Sequence, residues 1–144
     1  MRKPRGISFK LGKGEPLVIV QCLINEKGPF DFAIDTGASM TIISPEVARK
    51  SGISQMGKRA KAVGAHGRAE ARLARITSLE IDAISVTNLP VAIMNMSKIN
   101  RAGRLHLGGI IGYNFLKRYC LTIDYSTKSI YLKPQAAPVK RRLD

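Results

Sequence analysis

The chain has 144 residues, 44% of them hydrophobic, which the usual size range assigns to one domain with a sizeable core. Lys and Arg number 24 against 10 Asp and Glu, so the formal net charge is +14. No apolar run approaches the ~20 residues of a membrane span, and Cys22 and Cys120 are too few and too far apart for a disulfide scaffold or a zinc site. We expect two free, buried thiols, a cytoplasmic protein, and neither metal nor cofactor.

Short strands and turns follow a basic arm over residues 1–14 that we expect to be loose. Turn residues at 25–29 and 126–128 separate strands whose side chains alternate or run apolar. The predicted strands cover residues 16–24, 30–34, 41–43, 61–63, 69–76, 79–84, 86–94, 121–125 and 129–132.

Two short helices are predicted. The first begins at Pro45 with Ser44 as its N-cap and is ended by Gly52, and the second follows Gly112. Residues 95–107 are polar and are predicted to form a loop. The sequence therefore indicates a mostly β chain with one or two short helices, suited to a small, partly closed β-barrel. The domain is expected over 15–133, between the basic arm at 1–14 and a basic tail at 134–144.

A single carboxylate marks the point where a buried strand breaks into a tight, hydroxyl-rich loop. The run from Phe32 to Ser39 reads FAIDTGAS. Gly37 allows a sharp turn and brings its amide within reach of the Asp35 carboxylate, which a Cβ would crowd. The alternative is that Asp35 is only the first residue of an Asx turn.

This run resembles the active-site signature of aspartic proteases, and the chain holds it once. Residues 108–116, GGIIGYNFL, provide an apolar pair, a glycine and a short amphipathic helix, and a closing hairpin follows over 121–132. The same segments occur in the same order in bacterial retropepsin-like domains. The resemblance covers residues 16–132. Because two-lobed enzymes carry two copies of the signature, it points to the retroviral-type half-enzyme and implies the retropepsin-like acid protease fold.

The resemblance also implies roles for the loop residues. Asp35 of two identical chains would form a dyad that activates water by general acid and base catalysis. The supporting loop would comprise Thr36, Gly37, Ala38 and Ser39. The Thr36 hydroxyl would reach the partner's loop, and Ser39 would bond the outer carboxylate oxygen or the substrate backbone.

Two further features follow from the resemblance. A dry apolar wall is expected behind the loop, formed by Ile110, Ile111 and Gly112. The hairpin tip at Gly64, Ala65, His66 and Gly67 matches a flap that closes over bound peptide and excludes water. We expect His66 to be solvent-exposed rather than a proton switch, and Asp124 to be structural.

Positive charge is concentrated in residues 49–75, which hold eight basic side chains against Glu70. They are Arg49, Lys50, Lys58, Arg59, Lys61, Arg68, Arg72 and Arg75. Such a face attracts acidic partners, although a plain solvated surface is the alternative. No nucleic-acid motif accompanies it, so contact with phosphates would be non-specific.

Two functions of different classes remain open. The first is an aspartic endopeptidase that acts as a homodimer on extended peptides with apolar residues near the scissile bond; a weaker variant is that it processes itself or its own precursor. The alternative is a non-catalytic homodimeric module that binds acidic peptides or nucleic acid through its basic face. Because the terminal segments are basic, unlike the apolar ends of retropepsins, Ile130, Tyr131 and Leu132 are expected to replace them at the dimer interface.

Overall fold

The computed structural model describes residues 5–53, 57, 59–64 and 67–136. The strands are β1 (Ile7–Ser8), β2 (Lys10–Leu11), β3 (Val18–Ile24), β4 (Lys27–Ile34), β5 (Thr41–Ile43), β6 (Arg59–Gly64), β7 (Gly67–Ile81), β8 (Ile84–Met94), β9 (Gly109–Ile111), β10 (Tyr119–Asp124) and β11 (Ser129–Pro134). The helices in this part of the chain are α1 (Pro45–Lys50), α2 (Ser97–Gly103) and α3 (Tyr113–Leu116). None of the helices found there has the length and apolar character needed to span a membrane.

Six strands close into a barrel in the order β3, β4, β9, β5, β8, β7, and the pairing of β7 with β3 completes the ring. Strand β9 lies parallel to β4 and antiparallel to β5, while β5 lies parallel to β8. A separate sheet has the order β1, β11, β10. The prediction of a mostly β chain folded as a small barrel is confirmed, and the ring is closed rather than partly open.

The barrel interior is filled by side chains from alternate strand positions, which point to one face of each strand. Phe32, Ile24, Ile111 and Val91 are all fully buried there, and Phe115 of α3 joins the same cluster. Burying an aromatic or aliphatic side chain contributes about 1.5–3 kcal/mol, so this interior supplies most of the stabilisation of the ring.

The two cysteines have different environments. Cys22 is buried in the barrel core, and desolvation, together with nearby Asp31, raises the pKa of its thiol far above the usual range. It therefore stays protonated and unreactive. Cys120 is exposed on β10, so the expectation that both thiols are buried is wrong for this one. It shares the solvent face of β10 with Thr122, whereas Leu121 and Ile123 on the other face pack against the core, an alternation that is visible in the sequence.

The first hairpin turns more tightly than predicted. Asn25 and Glu26 alone form the turn, with φ of 50° and 65°, and β4 begins directly after them rather than after residue 29. The Asn25 carboxamide oxygen accepts hydrogen bonds from the N–H groups of Thr77 and Ser78 at 2.8 and 3.1 Å. Asparagine tolerates positive φ and here also joins β3 to β7.

Helix α1 forms as predicted. The Ser44 hydroxyl accepts a hydrogen bond from the Val47 N–H at 3.1 Å, and Pro45 occupies the first helical turn. Gly52 follows the helix with φ of 74°, which favours glycine.

Helix α2 corrects the prediction of a loop over residues 95–107. Polar residues dominate its sequence, but Met96, Leu105 and Leu107 are buried and attach the segment to the outside of the barrel. Tertiary packing rather than helix periodicity explains why seven residues form a helix here. The predicted strand over 79–84 is also corrected, because a turn that includes Asp82, with φ of 52°, separates β7 from β8.

The N-terminal residues are less loose than expected. Strand β1 pairs with β11, β2 pairs with β3, and Phe9 between them is buried. Ile130 is fully buried and Leu132 is 9% exposed, both within the chain's own core, so these two cannot form the dimer surface that the sequence suggested. Of the predicted tail at 134–144, residues 137–144 lie outside the described residues.

Candidate active site

Asp35 lies where β4 ends beside β9. The last residue of β4, Ile34, is in register with Ile111, and the Asp35 N–H donates to the Ile111 carbonyl at 3.0 Å. The residue itself is exposed. The main chain therefore holds Asp35 in place by its β9 neighbour while its carboxylate remains accessible.

The loop after Asp35 is closed by its own backbone. The Gly37 N–H donates to Asp35 Oδ1 at 2.9 Å, and the Ala38 N–H donates to the Asp35 carbonyl at 3.2 Å. A Cβ on Gly37 would lie 3.3 Å from Oδ1, closer than side chains normally approach. This is Asx-turn geometry, but it uses only one carboxylate oxygen. Among the described residues no group donates to Oδ2, which leaves that oxygen available for a reactant.

The remaining loop residues face outward to different degrees. Thr36 and Ser39 are exposed, and neither side chain has a hydrogen-bond partner within the described part of the chain. Ala38 is half-buried, and its carbonyl accepts a hydrogen bond from the Tyr113 N–H at 2.7 Å. The roles expected of the Thr36 and Ser39 hydroxyl groups therefore stay predictions.

The two isoleucines behind the loop point to opposite faces of β9, as neighbouring strand residues do. Ile111 is fully buried in the barrel interior. Ile110 is 9% exposed and belongs to an outer apolar cluster against which Ala38 and Ile42 pack. The loop thus has apolar side chains beneath it on the outer face and a filled core behind it.

Gly112 is the point at which two segments come closest. A Cβ there would lie 2.5 Å from the Met40 carbonyl oxygen and 2.6 Å from its carbon, both backbone atoms. We expect Gly112→Ala to lower the free energy of unfolding by about 1–3 kcal/mol, because the β9–α3 corner must move away from the active-site loop. Urea denaturation measures this effect. Ser39→Ala, an exposed change in the same loop, serves as the control, and equal stability of the two variants would contradict the prediction.

Asn114 organises the loop from behind, and sequence reasoning missed it. Its Oδ1 accepts hydrogen bonds from the Thr41 N–H at 2.8 Å and the Thr41 hydroxyl at 2.9 Å. Its Nδ2 donates to the Pro90 carbonyl at 2.7 Å. The Thr41 hydroxyl, which is fully buried, in turn accepts from the Gly112 N–H at 3.2 Å. One side chain thus ties together β5, β8 and α3.

A signal for this network is present in the sequence. Asn114 is the one polar side chain between Tyr113 and Phe115–Leu116 in a four-residue helix that is otherwise apolar or aromatic. Thr41 likewise begins a strand completed by two isoleucines. A polar residue in such a setting must find a buried partner or face solvent, but the sequence does not say which.

The β6–β7 hairpin stands beside the loop. Its last register pair is Gly64 with Gly67, and Ala65 and His66 lie outside the described residues. Toward the barrel, an apolar cluster joins the base of the hairpin to the segment that follows the Asp35 loop. Its members are Ala71, Ala92, Met94, Met40 and Ile42.

The carboxylate of Asp124 does not belong to the site. Its Oδ1 accepts hydrogen bonds from the Ser126 hydroxyl at 2.7 Å and from the backbone N–H groups of Ser126 and Thr127. These bonds, the Ser126 hydroxyl first, hold the pKa of Asp124 below its usual value, so its contribution to the β10–β11 turn is present at neutral pH and lost in acid. Among the described residues no cluster of His, Cys, Asp and Glu has the makeup of a metal site.

The basic side chains of residues 49–75 are largely exposed where the structure describes them. Lys50 pairs with Glu46 at 2.9 Å, and this pair lowers the pKa of Glu46. Arg59 and Arg72 are register partners on β6 and β7, so two positive charges lie opposite each other. Lys58 and the side chain of Arg68 lie outside the described residues.

The sequence profile of the gag-polyprotein putative aspartyl protease family matches residues 20–118, which include the Asp35 loop, the β6–β7 hairpin and the segment from Ile110 to Asn114. No curated protein sequence matches the chain.

Two solved structures show the same architecture. A retropepsin-like aspartic protease from Rickettsia conorii is 20% identical, with a TM-score of 0.64 over 90% of this chain and 100% of that one. EIAV protease complexed with the inhibitor HBY-793 is 15% identical, with a TM-score of 0.51 over 73% of this chain and 89% of that one. At these identities the likeness shows the fold, which is retropepsin-like. Since the family profile covers more than half of the sequence, the chain belongs to the gag-polyprotein putative aspartyl protease family.

Proposed function

We propose that the protein is an aspartic endopeptidase whose catalytic dyad combines Asp35 of two identical chains. The observation that carries this proposal is the accessible Asp35 carboxylate, held by Gly37 through one oxygen, on a loop anchored to β9. A solvated turn residue does not need that anchoring. Since each chain supplies one such carboxylate, a second copy is the simplest source of the other.

The proposed reaction needs the two carboxyls in different protonation states. Two carboxyls within ~3 Å cannot both ionise, so they share a proton, and the aspartic protease dyad is the standard example of such coupling. The ionised Asp35 takes a proton from water as the water oxygen attacks the peptide carbonyl carbon. The protonated Asp35 gives its proton to the carbonyl oxygen. Collapse of the resulting diol breaks the C–N bond: the protonated Asp35 gives its proton to the leaving amine, the ionised Asp35 takes a proton from one diol hydroxyl, and the dyad again holds one shared proton.

The β6–β7 hairpin is proposed as the flap over the bound peptide. Its pairing extends out to Gly64 and Gly67, and its base shares an apolar cluster with Met40 and Ile42 of the loop region. Closing such a hairpin excludes water and strengthens the electrostatic interactions of the dyad.

The second chain needs a surface beside the loop. Tyr113 is 58% exposed although its N–H is bonded to the loop at Ala38, so its ring extends the active-site surface outward. Strands β1 and β10 form the edges of their sheet, and their free backbone groups offer pairing to another chain. These features support a two-fold contact in place of the buried Ile130 and Leu132.

A subunit-mixing experiment tests the dyad. Wild-type chains are unfolded and refolded with a ninefold excess of Asp35→Asn chains, and hydrolysis of an unfolded protein is measured. Random pairing leaves about one tenth of the wild-type chains with a wild-type partner, so activity per wild-type chain falls about tenfold. In the control, wild-type chains are refolded with a ninefold excess of an unrelated basic protein, which shows whether added protein alone lowers the rate of hydrolysis. Unchanged activity would overturn the two-chain site, and absence of cleavage by wild type alone would favour the binding module.

A further inference from the structure

A shallow basic groove of about 650 Å³, largely open to solvent, lies along α2 and the segment after it. Its lining residues are Ser97, Asn100, Arg101, Arg104, Leu105 and His106. The charged groups in it are two guanidinium groups, with the His106 imidazole beside them. No carboxylate lines it.

Acidic residues are absent from this whole stretch of sequence. No Asp or Glu occurs between Asp82 and Asp124. The ion pairs of the described residues lie elsewhere, at Lys10–Asp31 and Lys50–Glu46. Within the described part of the chain, neither arginine of the groove is in an ion pair, and the nearest carboxyl noted there is that of Glu15, 4.0 Å from the position of a Cβ on Gly103.

Asn100 gives the groove a defined shape. Its Oδ1 accepts the Leu107 N–H at 2.9 Å, its Nδ2 donates to the Leu107 carbonyl at 3.1 Å, and its own carbonyl accepts the Leu105 N–H at 2.8 Å. Arg104, between these bonds, takes the left-handed conformation with φ of 52°. Arg104 and His106 are thus carried on a segment clamped to the helix at both ends.

Leu105 links the segment that carries the groove to the Asp35 loop by packing. This residue lines the groove and is also buried in the outer apolar cluster with Ile110, against which Ala38 packs. Ala38 is three residues after Asp35. A peptide bound in extended form advances ~3.3 Å per residue, so residues about three positions from the scissile bond lie ~10 Å from it, beyond the Asp35 loop.

We propose that this groove is a subsite for an acidic side chain, Asp or Glu, of the peptide substrate. The proposal rests on the proposed function, since it places the side chain a few residues from the bond that is cut. A guanidinium presents its N–H groups in a planar fork that matches a carboxylate. No Phe, Tyr or Trp lines the groove, so it lacks the stacking surface with which proteins hold single-stranded nucleic acid.

The test uses matched peptides with Glu or Gln at each position on both sides of the scissile bond. Binding to the Asp35→Asn variant is measured by fluorescence anisotropy, and KM and kcat are measured with wild type. At one position Glu is expected to bind about 3- to 10-fold more tightly than Gln, as fits a carboxylate held by exposed arginines. We expect the Glu peptide to have a lower KM than the Gln peptide and a similar kcat.

Charge variants of the groove test whether its arginines cause the preference for Glu over Gln. In the double variant Arg101→Gln/Arg104→Gln the Glu-to-Gln ratio is expected to fall to about one, and Arg101→Glu/Arg104→Glu to favour Lys over Gln. Both arginines are exposed, so the fold should survive, and thermal melting checks this. Lys98→Gln removes an equal charge from the same helix outside the groove and should keep the ratio.

The outcomes separate the two proposals. A Glu preference in binding without any cleavage by wild type would leave the acidic subsite standing and overturn the protease. Cleavage that depends on Asp35 without a Glu preference at any position, or with a preference that survives the double glutamine variant, would overturn the subsite. Binding of a short single-stranded oligonucleotide through the same two arginines, with no peptide preference, would also overturn it.

Discussion

Replacement of Asp35 by asparagine is expected to lower the rate of peptide hydrolysis by at least about 10³-fold, because the amide can neither take a proton from water nor give one to the substrate. The fold should be unaffected. The Asp35 side chain is exposed, and its one hydrogen bond within the described residues, from the Gly37 N–H, can be accepted equally by an amide oxygen. Loss of activity with unchanged stability would therefore show that Asp35 acts in catalysis and is not needed for folding.

Initial rates on an unfolded protein substrate, taken from acidic to neutral pH, measure this effect beside a thermal melt of each variant. Asp82→Asn is the matched control. It removes the same charge at an exposed turn where φ is 52°, a conformation that asparagine tolerates well. An Asp35→Asn protein that kept a tenth of the wild-type rate would exclude Asp35 as the catalytic acid or base.

Replacement of Asn114 by alanine is expected to lower the free energy of unfolding by about 2–5 kcal/mol. The change leaves the N–H of the fully buried Thr41 and the carbonyl of Pro90 without the partners they have at 2.8 and 2.7 Å. A buried polar group without a hydrogen bond retains its full desolvation cost. Activity should fall as well, because the strand that follows the Asp35 loop loses its anchor.

Urea denaturation of three variants tests this. Asn114→Asp keeps the acceptor for both Thr41 donors and loses only the donor to Pro90, so we expect a smaller loss than for alanine. Tyr113→Phe changes an exposed neighbour and should stay within about 0.5 kcal/mol of wild type. An alanine variant as stable as the Tyr113 variant would show that the network adds nothing to stability.

The structure of a segment could be predicted from the sequence where its local preferences agree with its long-range packing. The Asp35 loop, the strand over 41–43 and the Ser44-capped helix are encoded by turn, cap and β-branched residues within a few positions. Gly112 and the short helix after it are also encoded by residues within a few positions. Agreement between local preference and fold makes such segments predictable.

Prediction failed where tertiary contacts decide the outcome. Helix α2 has a polar sequence and gains its stability from Met96, Leu105 and Leu107 at its ends. The N-terminal strands form because β11 and β3 offer them edges, which no local pattern records. Asn114 was missed for the same reason, since its partner Thr41 is 73 residues away.

That separation has a consequence for how the protein is made. The Asp35 loop takes its position from the Ile111 carbonyl and from Asn114, which the ribosome adds long after Asp35 itself. A nascent chain that ends before them has the carboxylate but nothing to hold it, so no ordered site exists during most of synthesis. Because domains fold as units, the site forms in one step once β9 and α3 are available. On the proposed function, a nascent chain that ends before Asn114 is therefore expected to be inactive, because its Asp35 loop lacks these contacts.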